Sequence, residues 1–437
     1  MAPTRQQRIS LPAAQPSRFA LVPAQAGPLR SLAIVLVVVV LLLVGIGVAM
    51  VQSAGQVVAI ANGANPWSGA IRQGGYALVG ILCMVLLSQV SSRTMRRYAW
   101  WLLGLGFLLQ ILVYTPLGYE AGGNRNWLQL GPLSTQPAEF MKFVLLIWVA
   151  TVLTAKEPLL RRWQHVWIPV IPIVALSMFI NVIGGDLGTL MILGALIFGC
   201  LIFAQVRARI LAGIALLGVA GVAIMTLIKP NRVYRLTHFF EVDCLTDLEH
   251  AMDMCWQSLN GFWALSAGGI FGAGFGNSKA KWQWLPEAET DFIYAIIGEE
   301  LGLIGTLGVL ALYLVLAVVC IALINRFTST FALILTGGAV VWISTQMIVN
   351  IAVVLGYAPV LGVPLPFVSA GGTSLISTLL CVGAVLACVR EEAALVAFDE
   401  REDGEDSEVV ALANDEGFPA ARREAAFEDV VDPRHRK

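Results

Sequence analysis

The 437-residue chain is 57% hydrophobic and only 13% charged, with a mean hydropathy of +0.77. A soluble domain carries about 25% charged residues, so an ordinary soluble globular protein is excluded; the formal net charge is −1, and no nucleic-acid partner is expected. The useful count is of apolar runs of roughly 20 residues, each able to cross a bilayer core about 30 Å thick.

Residues 1–31 hold four Arg and no long apolar stretch, and read as a cytoplasmic N-terminal segment. The first apolar run, near 32–52, is longer than a signal-peptide core and reads as a retained helix. Further runs fall near 72–90, 99–117, 137–154, 166–183, 187–204, 209–228, 291–325, 330–356 and 371–390. They predict an all-α polytopic membrane domain of ten transmembrane helices over residues 32–390. The 291–325 run is too long for a simple span and implies tilt or a cytoplasmic extension.

Lys and Arg set the orientation. With the N-terminus inside, the cytoplasmic segments collect 14 of the 22 basic residues in 1–390, and both termini are expected to be cytoplasmic. The largest outer loop, 229–290, then lies between helices 7 and 8. Its Trp256, Trp263, Trp282, Trp284, Phe262 and Phe271 predict a loop folded back onto the membrane surface. Cys244 and Cys255 share that oxidising face, so they are disulfide candidates, with free thiols the open alternative. Residues 391–437 hold 15 Asp/Glu against 6 Lys/Arg, and read as an acidic, disordered cytoplasmic tail, either solvating or docking a partner.

Ionisable groups in or beside membrane helices are costly and raise functional hypotheses. Four places qualify. Asn124-Arg125-Asn126-Trp127 leads to Gln136-Pro137-Ala138-Glu139 and Lys142; Glu139 and Lys142 share a helix face, as an internal ion pair or as part of a cationic site. Asp186 in Gly184-Gly185-Asp186 caps the next helix or faces a site. The Gly-rich run 268–278 matches no phosphate-binding fingerprint and reads as a compact loop. Leu285-Pro286-Glu287-Ala288-Glu289-Thr290-Asp291-Phe292 opens a helix at the outer surface. Glu299 and Glu300 follow, Glu300 lying ~13 Å deeper than Asp291 at 1.5 Å per residue; a buried partner is required there, and Lys142 is a candidate.

These places, together with Pro364-Leu365-Pro366-Phe367-Val368-Ser369-Ala370-Gly371-Gly372-Thr373-Ser374, resemble the SEDS family of FtsW, RodA and SpoVE proteins over roughly residues 30–390. The resemblance implies a ten-helix peptidoglycan glycosyltransferase of the bacterial cell membrane. Its substrate would be lipid II, an undecaprenyl-diphosphate-linked disaccharide-peptide. Its partner would be a class B penicillin-binding protein, an FtsI-like transpeptidase, with other divisome proteins reached through the tail. Asp291 matches the family's essential acid and would be the general base. Arg125, Trp127, Gln136, Glu139, Lys142, Asp186, Lys279, Lys281, Glu287, Glu300 and Ser369 would form the substrate-binding set. Arg125, Lys279 and Lys281 are placed to neutralise the diphosphate, and Glu139, Lys142 and Glu300 to shape the lower cavity. No cofactor is firmly implied; a divalent cation, Mg or Mn, is an open alternative to protein cations.

The chain departs from the family pattern at Asn126, where Arg is common, at Gly185 (Pro), Glu289 (His) and Ala370 (Tyr). Glu289 adds negative charge near the proposed base. Ala288 and the long termini resemble the division-type branch, acting at the septum, more than the elongation-type branch. A lipid II flippase is the competing reading, because Glu139, Lys142, Glu299 and Glu300 lie inside membrane helices.

Overall fold

The structure, a computed structural model, describes residues 27–121, 124–131, 133–160, 162–228, 255–282 and 284–414. Its helices are α1 (Gly27–Ala61), α2 (Ser68–Ser88), α3 (Ser92–Leu112), α4 (Pro137–Ala155), α5 (Trp163–Gly184), α6 (Leu187–Phe203), α7 (Ala208–Ile228), α8 (Trp256–Gly268), α9 (Ile293–Ile324), α10 (Thr330–Val354) and α11 (Gly372–Asn414). A helix falls on each of the ten expected runs, and α8 is additional. Among the described residues, seven helices are long and apolar enough to cross a membrane: α1, α2, α4, α5, α9, α10 and α11. Apolar α6 has 17 residues, and α3 carries Arg93, Arg96 and Arg97 in its first two turns. The protein is a multi-pass membrane protein.

Burial sorts the helices. In α4 and in the Gly372–Phe398 part of α11, 78% of the apolar window is buried, and α4 is packed by α3, α6, α10 and α11. In α2 only 22% is buried, and Ile71, Leu78, Leu82 and Leu86 face outward as a lipid-facing stripe. Apolar residues on a lipid face need no other explanation.

Three findings add to or correct these expectations. The fold is all-α in class, as expected, and carries one small addition: β1 (Gly118–Ala121), β2 (Asn124–Leu130) and β3 (Leu133–Thr135) form an antiparallel sheet in order β1-β2-β3 between α3 and α4. Three short strands are below the length at which alternation stands out in a sequence. Second, the long 291–325 run is accommodated by a break, not by tilt alone. Gly302 has φ 68° and ψ −163° inside α9, a conformation open only to glycine. The Gly-rich run docks across the break: Ala273 N donates to Glu299 O (2.8 Å), Gly274 N to Glu300 O (3.1 Å) and Leu303 N to Gly269 O (2.9 Å). Irregular backbone at this depth is tolerated because its polar groups are satisfied by protein.

Third, the acidic tail does not begin as disorder. α11 continues through residue 390 to Asn414, and Ala393 and Ala397 are buried. Three consecutive residues fasten it. Arg390 donates to Gln89 Oε1 (3.0 Å) and O (2.9 Å) at the end of α2. Glu391 Oε1 accepts from Ser92 N (2.8 Å) at the start of α3. Glu392 Oε1 accepts from Thr328 N (2.8 Å) just before α10. Carboxylates at helix N-termini satisfy orphan N–H groups and complement the dipole.

Residues 1–26, residues 229–254 of the 229–290 loop with Cys244, and residues 415–437 lie outside the described residues. Cys255 is disulfide-bonded. Cys83, Cys200, Cys320, Cys381 and Cys388 are free.

Candidate functional site

Asp291 stands two residues before α9, where loop becomes helix. The turn that delivers it begins at Glu287, which has φ 54°. Glu287 O accepts from Thr290 N (3.1 Å) and Phe292 N (3.2 Å), and its carboxylate accepts from Thr290 Oγ1 (2.6 Å).

A non-helical strap, residues 361–371 between α10 and α11 and buried over residues 365–369, fixes this turn. Ser369 Oγ donates to Thr290 O (2.5 Å) and accepts from Leu365 N (2.8 Å). Ala370 N donates to Glu289 O (2.8 Å). Gln73 of α2 donates to Ser369 O (3.1 Å), and Tyr313 OH of α9 donates to Pro366 O. Gly47 of α1 makes room: a Cβ there would sit 2.7 Å from the carbonyl oxygens of Phe367 and Val368.

Two buried amides on one face of α10 peg the strap to the acid. Asn350 Nδ2 donates to Asp291 O and to Val363 O, both at 2.8 Å. One turn earlier, Gln346 Nε2 donates to Pro364 O (2.9 Å), while its Oε1 accepts from Lys142 Nζ (3.0 Å) and Trp342 Nε1 (2.8 Å). The backbone of Asp291 is therefore held, while no described residue hydrogen-bonds its carboxylate. Burial pushes its pKa up to about 7, and the negative charges of Glu287, Asp186 and Glu139 push the same way.

Asp186 is buried and caps α6, accepting from Thr189 N (2.8 Å) and Thr189 Oγ1 (2.7 Å). It also accepts from Asn126 Nδ2 (3.0 Å) and Gln136 Nε2 (3.3 Å). These donors are neutral, so burial raises its pKa despite the Thr189 bonds. Asn126 stands where the family resemblance predicts Arg, and makes the contact without supplying a charge. Gln136 is the N-cap residue of α4, and its N donates to Thr373 Oγ1 (3.1 Å).

The deeper charges are paired. Lys142 Nζ is 2.7 Å from Glu139 Oε1 and lies over the Trp342 ring. Lys142 does not serve Glu300. That partner is Lys281, whose Nζ lies 3.1 Å from Glu300 Oε1, 3.1 Å from Ser53 Oγ and 2.5 Å from Gly276 O. The expectation that Lys281 stands at the outer interface is corrected: its side chain is 1% exposed, because an unpaired Glu300 at that depth would be costly. Glu299 accepts from Ser278 Oγ (2.5 Å), Lys279 N (2.8 Å) and Ala280 N (3.2 Å). Lys279 itself is exposed.

Arg125 donates to Val113 O (3.2 Å) and Thr115 O (3.1 Å), so its cation closes the C-terminal end of α3. Trp127 stacks on Tyr119 across the β1–β2 pair, with ring centroids 6.3 Å apart.

Sequence reasoning missed Arg72, Gln73, Gln346 and Asn350. Gln346 and Asn350 could have been found as two amides four residues apart in an otherwise apolar run. Among the described residues no three His, Cys, Asp or Glu side chains form a metal-binding group.

The family model described as "Cell cycle protein", for FtsW, RodA and SpoVE, matches residues 33–394. The chain is 32% identical over 353 residues to the probable peptidoglycan glycosyltransferase FtsW of Mycobacterium tuberculosis, covering 80% of this chain and 66% of that protein. It is 33% identical over 342 residues to stage V sporulation protein E of Bacillus subtilis, covering 78% and 92%. Among solved structures, it resembles a chain described under "structural coordination of polymerization and crosslinking by a peptidoglycan synthase complex". That likeness has a TM-score of 0.65 and 26% identity, and covers 82% of this chain and 97% of the other. It also resembles the rod shape determining protein RodA of Thermus thermophilus, at TM-score 0.58 and 26% identity, covering 82% and 96%.

Proposed function

Because the chain belongs to the FtsW, RodA and SpoVE family, we propose that it is a peptidoglycan glycosyltransferase that polymerises lipid II during septal wall synthesis. It would work at the cell membrane with a class B penicillin-binding protein, both termini cytoplasmic. The observation that carries the reading is Asp291: an acid with its backbone pinned, its carboxylate bonded by no described residue and its pKa raised to about 7, at the head of a membrane helix.

The chemistry follows from that placement. A sugar hydroxyl attacks the anomeric carbon of the lipid-linked donor. The new glycosidic C–O bond forms as the bond to the diphosphate breaks, and Asp291 accepts the hydroxyl proton. The prenyl diphosphate leaves carrying the electron pair of the broken bond, and nearby cations stabilise it. The flippase reading loses its motive, since Lys142 pairs with Glu139, Lys281 pairs with Glu300, and Glu299 is satisfied by the Gly-rich loop. Purified protein incubated with lipid II, with and without its penicillin-binding partner, tests the proposal; no glycan polymer under either condition refutes it.

A pH profile tests the role of Asp291. A base works deprotonated, so the rate rises about tenfold per pH unit below the pKa and levels above it. With the pKa at about 7, the bend falls near neutrality. Glu287→Gln removes a charge that raises this pKa, so its bend moves to lower pH. A rate unchanged down to about pH 5.5, where such a base is largely protonated, contradicts the assignment.

A further inference from the structure

Arg72 lies in the second turn of α2, and its Nη2 is 3.7 Å from Glu289 Oε1. That separation is too long for a hydrogen bond, and the side chains are 63% and 34% exposed. The pair is loose and reached by solvent. The two partners are held very differently. Glu289 is fixed from behind, its backbone O accepting from Ala370 N (2.8 Å). Its Oε2 sits where α1 carries Gly55, 2.5 Å from the place a Cβ would take. Arg72 has a long exposed side chain on the first turns of a helix, where the dipole adds positive potential. Its guanidinium faces a position already filled by an anion, and that anion belongs to the residue two before Asp291.

We propose that Arg72 binds a phosphate oxygen of the substrate's diphosphate, and that Glu289 is an internal competitor which the diphosphate must displace. The inference rests on the glycosyltransferase reading. A phosphate can take two parallel hydrogen bonds from a guanidinium, whereas the Glu289 carboxylate makes none to Arg72. The identity of residue 289 therefore sets the affinity of the site for a diphosphate head group.

The test uses the full-length protein in nanodiscs with its penicillin-binding partner. Undecaprenyl diphosphate, inorganic diphosphate and phosphatidylglycerol are titrated separately. Glu289→Gln is expected to tighten undecaprenyl diphosphate about threefold, the scale of one exposed ion pair. Arg72→Gln is expected to weaken it about tenfold or more, the scale of a charge-assisted bond, with Arg72→Lys in between. In the Arg72→Gln background, the Glu289→Gln effect disappears. Inorganic diphosphate showing the same dependence on Glu289 supports a contact to the phosphates themselves. Unchanged or weaker binding by Glu289→Gln, a Glu289 effect that persists without Arg72, or an equal response to phosphatidylglycerol overturns the proposal. A wild-type complex that does not polymerise lipid II refutes the enzymatic reading instead, and the binding series still decides this one.

Discussion

Asp291→Asn is expected to lower lipid II polymerisation by about 10²–10⁴-fold, the usual contribution of a positioned general base. The amide keeps the shape of the side chain and cannot accept the proton. The fold has no reason to suffer. The contact that pins the residue is from Asn350 to its backbone carbonyl (2.8 Å), and the substitution leaves that untouched. Removing one carboxylate also relieves repulsion from Glu287, Asp186 and Glu139, the charges that raise the pKa of Asp291. Thermal stability should therefore hold or rise while activity is lost. The measurements are glycan polymerisation by purified complex and melting temperature in detergent. Polymerisation within about tenfold of wild type, outside that range, would remove Asp291 from the role.

Lys281→Met is expected to be the most damaging change to the fold. It strands Glu300, whose side chain has no exposure, with its one ion-pair partner among the described residues gone. Removing one member of a buried pair typically costs about 3–5 kcal/mol. Glu300 Oε1 would retain only Ser53 Oγ (2.6 Å) and Ser278 N (3.3 Å) as donors. The Gly-rich loop is held to α9 through the same groups, so its proteolysis should accelerate along with the fall in melting temperature. Adding Glu300→Gln to Lys281→Met should recover part of the loss, because a neutral amide needs no counter-charge. A double variant no more stable than Lys281→Met alone would show that the ion pair is not what holds this region.

The membrane helices were legible because a 20-residue apolar run permits few alternatives, and each expected run coincides with a helix. Asp291 stood out for a related reason, as a charge at the mouth of an apolar segment, and its place before α9 agrees with that; its role as base came from the family resemblance and is the proposal that Asp291→Asn tests. Partner choice was not. Lys142 and Lys281 are both lysines near apolar helices, and the sequence offers no measure of which one folds back to Glu300; that depends on the break at Gly302 and the loop docked across it. The strap was visible as a Pro- and Gly-rich motif, but not its attachment, which depends on Gln346 and Asn350 sharing a face of α10. The helical start of the tail, residues 391–414, was not legible because composition alone cannot show that Glu391 and Glu392 meet the ends of two other helices.

Those two carboxylates bear on biogenesis. Ser92, at the start of α3, and Glu391 are separated by 299 positions. At 5–20 residues per second, synthesis across that interval takes roughly 15–60 s. Through that time the first turn of α3 waits in the bilayer interface without its final partner, and Thr328 waits more briefly for Glu392. α11 thus locks the ends of three helices made before it, α2, α3 and α10, so this side of the bundle matures only once residues 390–392 have been made. A chain stopped before residue 390 should therefore be cleaved faster by added protease near Ser92 and Thr328 than one extended to residue 414; equal cleavage would show that these contacts do not hold the helix ends.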